Sequence, residues 1–246
     1  MTRILLIETS TAKLSVALAA DGNVIASREC SEPRQQASLT APLVKEVLDS
    51  QGLKVTDCNA ICVSKGPGSY TGLRVGVSTA KGLAFGAGLP LLAVGTLDIL
   101  AQAAREIAGQ AGNDATVMPG PDRASFIIPM IDARRMEVYT AVFSPSGEQL
   151  TPVSAQVIGP ESFAEQLEQG PVLFIGDGAL KCREVITHPS ARFMQAWPDA
   201  AHMARLAQEA WDQKRFEDLA YFEPFYLKDF VATVSRKSVF PQNGTI

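Results

Sequence analysis

Histidine is nearly absent from this chain, with only His188 and His202 among 246 residues. Neither stands in an H-E-x-x-H or H-x-x-x-H pattern, which excludes the usual helix-borne metal pair. Cysteine is sparse as well. Cys30, Cys58, Cys62 and Cys182 form no C-x-x-C pair, so neither a zinc ribbon nor a dithiol redox motif is present. Basic charge is in deficit, 22 Lys+Arg against 26 Asp+Glu for a net −4. Doublets such as Arg134-Arg135 and Arg236-Lys237 are too few for a nucleic-acid footprint, which needs clustered phosphate-neutralising charge. Long apolar runs are missing too. The longest uncharged stretch, Gly82 to Leu97, has 16 residues and is broken by glycines and Pro90, short of the ~20 that cross a bilayer. Glu8 ends the opening apolar run too early for a signal-peptide core. These shortages predict a cytoplasmic, reducing location, free thiols and no membrane association.

What is present is ordinary core material: 46% hydrophobic and 20% charged residues. That composition rules out disorder and, at ~150 residues per domain, predicts one large domain or two small ones. Arg3–Glu8, Leu14–Ala20 and Val24–Arg28 read as three strands, the last two joined by the Asp21-Gly22 hairpin signal. Helical spacing of Leu39, Leu43, Val44, Val47 and Leu48 follows. Strands at Ala60–Ser64 and Pro90–Gly95 then alternate with helices at Thr71–Ala87 and Leu97–Ala108. After a polar Gly/Pro-containing linker, 109–123, the pattern restarts: Ile127–Asp132 ends in a carboxylate as Arg3–Glu8 does, 124 positions earlier. Ile61–Val63 leads into Gly66-Pro67-Gly68, and Val172–Ile175 leads into Gly176-Asp177-Gly178. A tandem duplication is expected, with lobes 1–108 and 124–246. A helix over 199–215 is left free to pack on either lobe.

A three-strand meander followed by alternating helices and strands is the ribonuclease H-like topology. Two copies make the α/β, two-lobed actin-like fold. In such a duplicate, Glu8 and Asp132 end equivalent strands and would face each other across a cleft, where carboxylates hold magnesium or a water against phosphates. The bland reading is that both are polar strand ends capping their neighbours. Thr9 and Ser10, Gly66, Gly68 and Ser69, and Gly176 and Gly178 would line the same vestigial nucleotide or phosphate cleft, since a glycine turn before a helix presents backbone N–H groups to an anion. The spacing G-x-G-x-x-x-G matches neither standard phosphate motif. A tight turn with Ser69 or Thr71 capping the helix explains it equally well.

The helix after that turn carries a narrow polar stripe, Arg74, Ser78 and Lys81, and a ridge of small residues, Gly72, Gly76, Ala80 and Ala84. Glycines cost a helix roughly 1 kcal/mol each relative to alanine, so a flat ridge makes sense where another backbone packs closely. The expected partner interface is Gly72, Leu73, Gly76, Val77, Ala80, Leu83 and Ala84, with Leu39 and Leu43 of the first helix beside it. The chain's own first helix could contribute to the cover.

Four motifs then carry a resemblance over nearly the whole chain: Ile4-Leu5-Leu6-Ile7-Glu8-Thr9-Ser10, Gly66-Pro67-Gly68-Ser69-Tyr70-Thr71-Gly72-Leu73-Arg74, Ile131-Asp132-Ala133-Arg134 with Glu137-Val138-Tyr139, and Glu223-Pro224-Phe225-Tyr226-Leu227. In that order they resemble the TsaB (YeaZ) family of tRNA threonylcarbamoyladenosine (t6A) biosynthesis. The resemblance implies a non-catalytic partner of the paralogue TsaD. With the ATPase TsaE, that pair transfers threonylcarbamoyl from an adenylate to N6 of the adenosine beside the anticodon. TsaD holds its metal through H-x-x-x-H, whereas this chain has Gln36 and Ala37 to Thr40 in that region. Its histidine count also argues against the family's old glycoprotease grouping. On this reading tRNA is met only through the complex, a homodimer is allowed, and no metal or cofactor is required, with weak or partner-dependent ATP or ADP binding left open. The competing reading is an actin-fold nucleotide-dependent hydrolase or kinase using Glu8 and Asp132.

Overall fold

Apolar runs of four to seven residues cannot stay half-wet, and the inner strands of this chain are covered on both faces. β1 (Arg3–Glu8), β2 (Leu14–Ala20) and β4 (Ala60–Ser64) are buried almost throughout, so their sheet needs a layer on each side. With β3 (Asn23–Cys30) and β5 (Leu91–Val94) they form a five-stranded sheet in the order β3-β2-β1-β4-β5. β6 (Phe126–Asp132), β7 (Glu137–Thr140), β8 (Ser154–Val157), β9 (Val172–Ile175) and β10 (Ala191–Met194) form a second, ordered β10-β9-β6-β7-β8. In each sheet the first strand pairs antiparallel with the second and parallel with the fourth. The two halves therefore share one topology, with Glu8 and Asp132 at equivalent strand ends. This computed structural model describes residues 1–32, 34–111 and 124–228.

The covering helices do not respect the sequence halves. α1 (Gln36–Asp49) and α2 (Tyr70–Ala87) cover one face of the first sheet, where Leu43, Val44, Val47, Val77, Ala80 and Ala84 meet Leu5, Ile7, Val16 and Leu18. The other face is covered by the C-terminal part of the chain. Ala200 and Met203, from a 3₁₀ helix, and Ala204, Ala207 and Ala210 of α6 (Ala204–Asp212) pack on Ile4, Leu6, Ala17, Ala19 and Leu92. In exchange, α3 (Thr96–Ala111) sends Leu97, Leu100, Ala101 and Ala104 into the second sheet's core beside Ile127, Ile131, Phe143 and Leu173. Its Ile99 joins the first sheet's cluster. The outer face of the second sheet is closed by α4 (Ala164–Gln169) and α5 (Ala179–Cys182), through Leu167, Ala179 and Cys182.

The helix left free to pack on either lobe lies on the first sheet, and α3 reaches across to the second, so each sheet borrows a helix from the other half. The expected linker starts later than 109, since α3 runs to Ala111. Residues 112–123, and the Arg236-Lys237 doublet, lie outside the described residues. Polar ties fix the exchange. Lys13 Nζ bridges Asp199 at 2.7 Å and Glu29 at 2.5 Å, and His202 Nδ1 lies 2.5 Å from Glu106 Oε2 on α3. Ala200 N donates to Ser15 Oγ at 2.8 Å.

Beyond α6 the chain becomes a strap. Glu217 N donates to Leu91 O at 2.8 Å on the edge strand β5. Lys81 Nζ holds the next stretch through Ala220 O and Phe222 O at 3.2 and 3.0 Å. Lys228 then pairs with Glu137 on β7 of the second sheet. A fragment ending at residue 111 would leave Leu6, Ala17 and Leu92 facing water. We expect that fragment to show no cooperative thermal transition by circular dichroism, whereas the full chain melts as one unit; a cooperative melt of the fragment would contradict the exchange.

Candidate functional site

The end of β1 places Glu8 inside the protein rather than at a cleft surface. The side chain is fully buried, Oε1 accepts from Ser10 N at 2.5 Å, and Oε2 has no hydrogen-bond partner. The buried hydroxyls of Ser10, Thr11, Ser64 and Thr96 also lack partners. Burial pushes the Glu8 carboxyl up to about 7, against the pull of the Ser10 backbone N–H toward the charged form. Ser64 ends β4, and Thr96 opens α3. Neither was singled out from sequence. Their signal was a lone hydroxyl closing each apolar run.

The glycine turn is shaped by contact with its own chain. Gly66 has φ +109°, and a Cβ there would sit 2.7 Å from Phe225 O in the strap. On Gly68 it would meet Ser10 O at 2.3 Å, and on Gly72 it would meet Thr9 O at 2.1 Å. Ser69 N donates to Ser10 O at 2.6 Å, while Ser69 Oγ caps α2 by accepting from Gly72 N at 3.3 Å. Phe225 N closes the mouth on Lys65 O at 2.7 Å. The second half repeats the arrangement. A Cβ on Gly176 would lie 2.1 Å from Met130 O, and one on Gly178 would lie 3.0 Å from Asp132 N. The Cβ side of each of these glycines is filled by the chain itself, mainly by backbone, and Ser69 N is already committed to Ser10 O. The capping explanation of Ser69 is the one the geometry supports.

Asp132 is half-exposed and committed elsewhere. It pairs with Lys181, which also donates to Arg135 O at 2.8 Å and Glu137 O at 2.7 Å. Its Oδ1 accepts from Arg134 N at 2.8 Å, and its backbone N donates to Asp177 Oδ1 at 3.0 Å. Among the described residues no hydrogen bond or ion pair joins Glu8 to Asp132, and no three His, Cys, Asp or Glu side chains are grouped as metal ligands.

The small-residue ridge of α2 also turns inward, which corrects the expected interface. Gly72, Leu73, Gly76, Val77, Ala80 and Ala84 are buried within the isolated chain, as is Leu43 on α1. What approaches the ridge is the chain's own Thr9: a Cβ on Gly76 would meet Thr9 Oγ1 at 2.2 Å, and Thr9 Oγ1 donates to Gly72 O at 2.8 Å. Leu39 and Leu83 are partly buried against the same core. The wheel could not tell a ridge facing its own sheet from one facing a partner. The opposite face of α2 carries Gly82 and Gly86, with open space where a Cβ would lie, and Phe85, 81% exposed.

Two consequences are measurable by urea unfolding. Gly82→Ala and Gly86→Ala should each raise stability by about 1 kcal/mol through helix propensity. Gly72→Ala and Gly76→Ala should lower it by about 1–3 kcal/mol through overpacking; a gain at Gly76 would contradict its inward placement. For Glu8, a folded pKa near 7 lies above the ordinary 4.5. Its neutral form is buried without charge penalty below pH 4.5, and that stability is lost as pH rises through 7, by about 3 kcal/mol in full. Glu8→Gln should therefore flatten the decline between pH 5 and 8, and an unchanged decline would sink the assignment.

The comparisons with known proteins agree with this geometry. The family described as TsaD, tRNA N6-adenosine threonylcarbamoyltransferase, matches residues 31–236. The tRNA threonylcarbamoyladenosine biosynthesis protein TsaB of Escherichia coli K12 is 32% identical, covering 94% of this chain and 96% of that protein. The structure of YeaZ from Pseudomonas aeruginosa superposes with a TM-score of 0.76 at 30% identity, over 92% of this chain and all of that one. Component A of Acidaminococcus fermentans (R)-2-hydroxyglutaryl-CoA dehydratase, at TM-score 0.50 and 9% identity over 87% of this chain and 100% of that one, shares the fold alone. With matches of this extent, the chain belongs to the TsaB (YeaZ) branch of the TsaD family.

Proposed function

We propose that this chain works in t6A synthesis as a non-catalytic partner of a TsaD paralogue. TsaD and the ATPase TsaE carry threonylcarbamoyl transfer from its adenylate to N6 of the tRNA adenosine beside the anticodon. What supports this reading is that the chain's own backbone packs against its glycine turn. Ser10 and Thr9 occupy the open sides of Gly68 and Gly72, and the strap occupies that of Gly66. A hydrolase or kinase using Glu8 would need that carboxylate accessible, and here it is fully buried. With a net charge of −4, the chain meets tRNA only through the complex.

The partner surface on this reading is the outer face of α2, with the rims of Leu39 and Leu83. An exposed phenylalanine between two glycines gives an anchor beside flat backbone, the arrangement that lets a second helix approach closely. A second copy would use the same face with lower preference, as paralogues sharing an interface do.

The test has two arms. Phe85→Glu and Gly82→Leu, measured by calorimetry against TsaD, should weaken binding by about 30-fold or more, a hot-spot effect near 2 kcal/mol, with unchanged circular dichroism. Normal binding by both would place the interface elsewhere. Glu8→Gln with Asp132→Asn should leave tRNA modification by the reconstituted complex within about tenfold. A loss beyond about a hundredfold in a folded protein, ~2.7 kcal/mol of barrier, would overturn the non-catalytic reading.

A further inference from the structure

Two of the motifs that carry the family resemblance, distant in sequence, line one cavity of about 410 Å³. The end of the glycine-turn motif supplies Tyr70 and Arg74 on α2, joined by Ser78 and Lys81. The strap motif supplies Glu223 and Tyr226. The wall is held together by aromatic contact, with the Tyr70 and Tyr226 ring centroids 4.6 Å apart. Lys81 is committed to structure, because its ammonium donates to two strap carbonyls.

Arg74 and Glu223 are placed differently. Arg74 Nη1 donates to Tyr70 Oη at 3.4 Å, and its guanidinium carbon lies 5.5 Å from the Tyr70 ring centre, which presets the fork. Neither Arg74 nor Glu223 forms an ion pair with any described residue. Both charges nonetheless act on Tyr226. Its phenol is pushed up by burial and by Tyr70, with Arg74 opposing and Glu223 adding. The cavity thus brings together a guanidinium and a carboxylate that do not neutralise each other.

We propose that this cavity binds a small zwitterion of the α-amino acid class, its carboxylate on Arg74 and Ser78 and its ammonium facing Glu223. A planar carboxylate matches the guanidinium fork, and the two hydrogen bonds fix its orientation. Glu223 disfavours a phosphate dianion, and Arg74 disfavours a simple cation, so only a ligand carrying both signs satisfies both walls. The ligand side chain lies along the tyrosine pair. The volume exceeds that of a single amino acid, so side chains of different size are accommodated. The lining is polar, and its charged groups are exposed; affinity is therefore expected in the millimolar range.

The test uses the full chain and isotope-edited NMR titration with glycine, leucine and phenylalanine, and with acetate, methylammonium and inorganic phosphate as single-sign probes. The amino acids should saturate at about millimolar concentration, with shifts centred on Arg74, Ser78 and Glu223, and each single-sign probe should bind at least about tenfold more weakly. Arg74→Lys, which keeps the charge and loses the fork, and Glu223→Gln, at an exposed position, should each weaken the amino acids by about tenfold or more. Saturation by acetate or phosphate equal to that by amino acids, shifts centred elsewhere, no saturation at all, or wild-type affinity in Glu223→Gln would each overturn the proposal.

Discussion

The structure depends on burying both faces of the first sheet. β1, β2 and β4 offer apolar side chains in both directions, and each face must find a cover. The first half of the chain has helices enough for one. The second cover arrives from residue 199 onward, a row of alanines and Met203 small enough to let a helix lie flat on Ala17, Ala19 and Cys62. Once α6 is on the first sheet and α3 on the second, neither half can be removed without exposing the other. The polar ties at Lys13, Asp199, Glu106 and His202 then fix the register of an arrangement that apolar burial requires.

The same exchange decides what happens at the strand ends. A chain that returns to the first sheet and must still reach the second crosses above the glycine turn. Phe225 there meets Gly66, at a distance that any side chain on residue 66 would forbid. The loop after β1 closes from the other side through Thr9 and Ser10. Glu8 is left fully buried with no cation paired to it among the described residues, and burial raises its pKa accordingly. The turn that opens α2 is thus packed against two other segments of its own chain.

The helix α2 illustrates how one element serves several ends. Its glycines at 72 and 76 answer to the chain's own Thr9, whereas those at 82 and 86 touch nothing. Helix propensity disfavours all four equally, so the inner pair is explained by packing and the outer pair is not. The outer pair flanks Phe85, and the polar stripe between the two faces lines the strap cavity.

Much was legible in the residues alone. Strand periodicity, the Asp21-Gly22 hairpin and the offset between Glu8 and Asp132 are local signals, and each half folded into the order they imply. The motifs were local too, and they were enough to indicate the family. The direction of the small-residue ridge was not legible, because a helical wheel reports which side is small but not which sheet lies beneath it. The covering role of 199–212 was equally hidden, since alanines at helical spacing dock on any flat apolar face. The charge state of Glu8 depended on burial, which no local signal at the end of β1 reports. Sequence by itself determined the elements of the first half and the opening strands of its repeat, but not β8, β10, α4 or α5 of the second half. Tertiary structure decided which faces were inside, because burial depends on the area left uncovered when distant segments meet, and that area is not a property of any one segment.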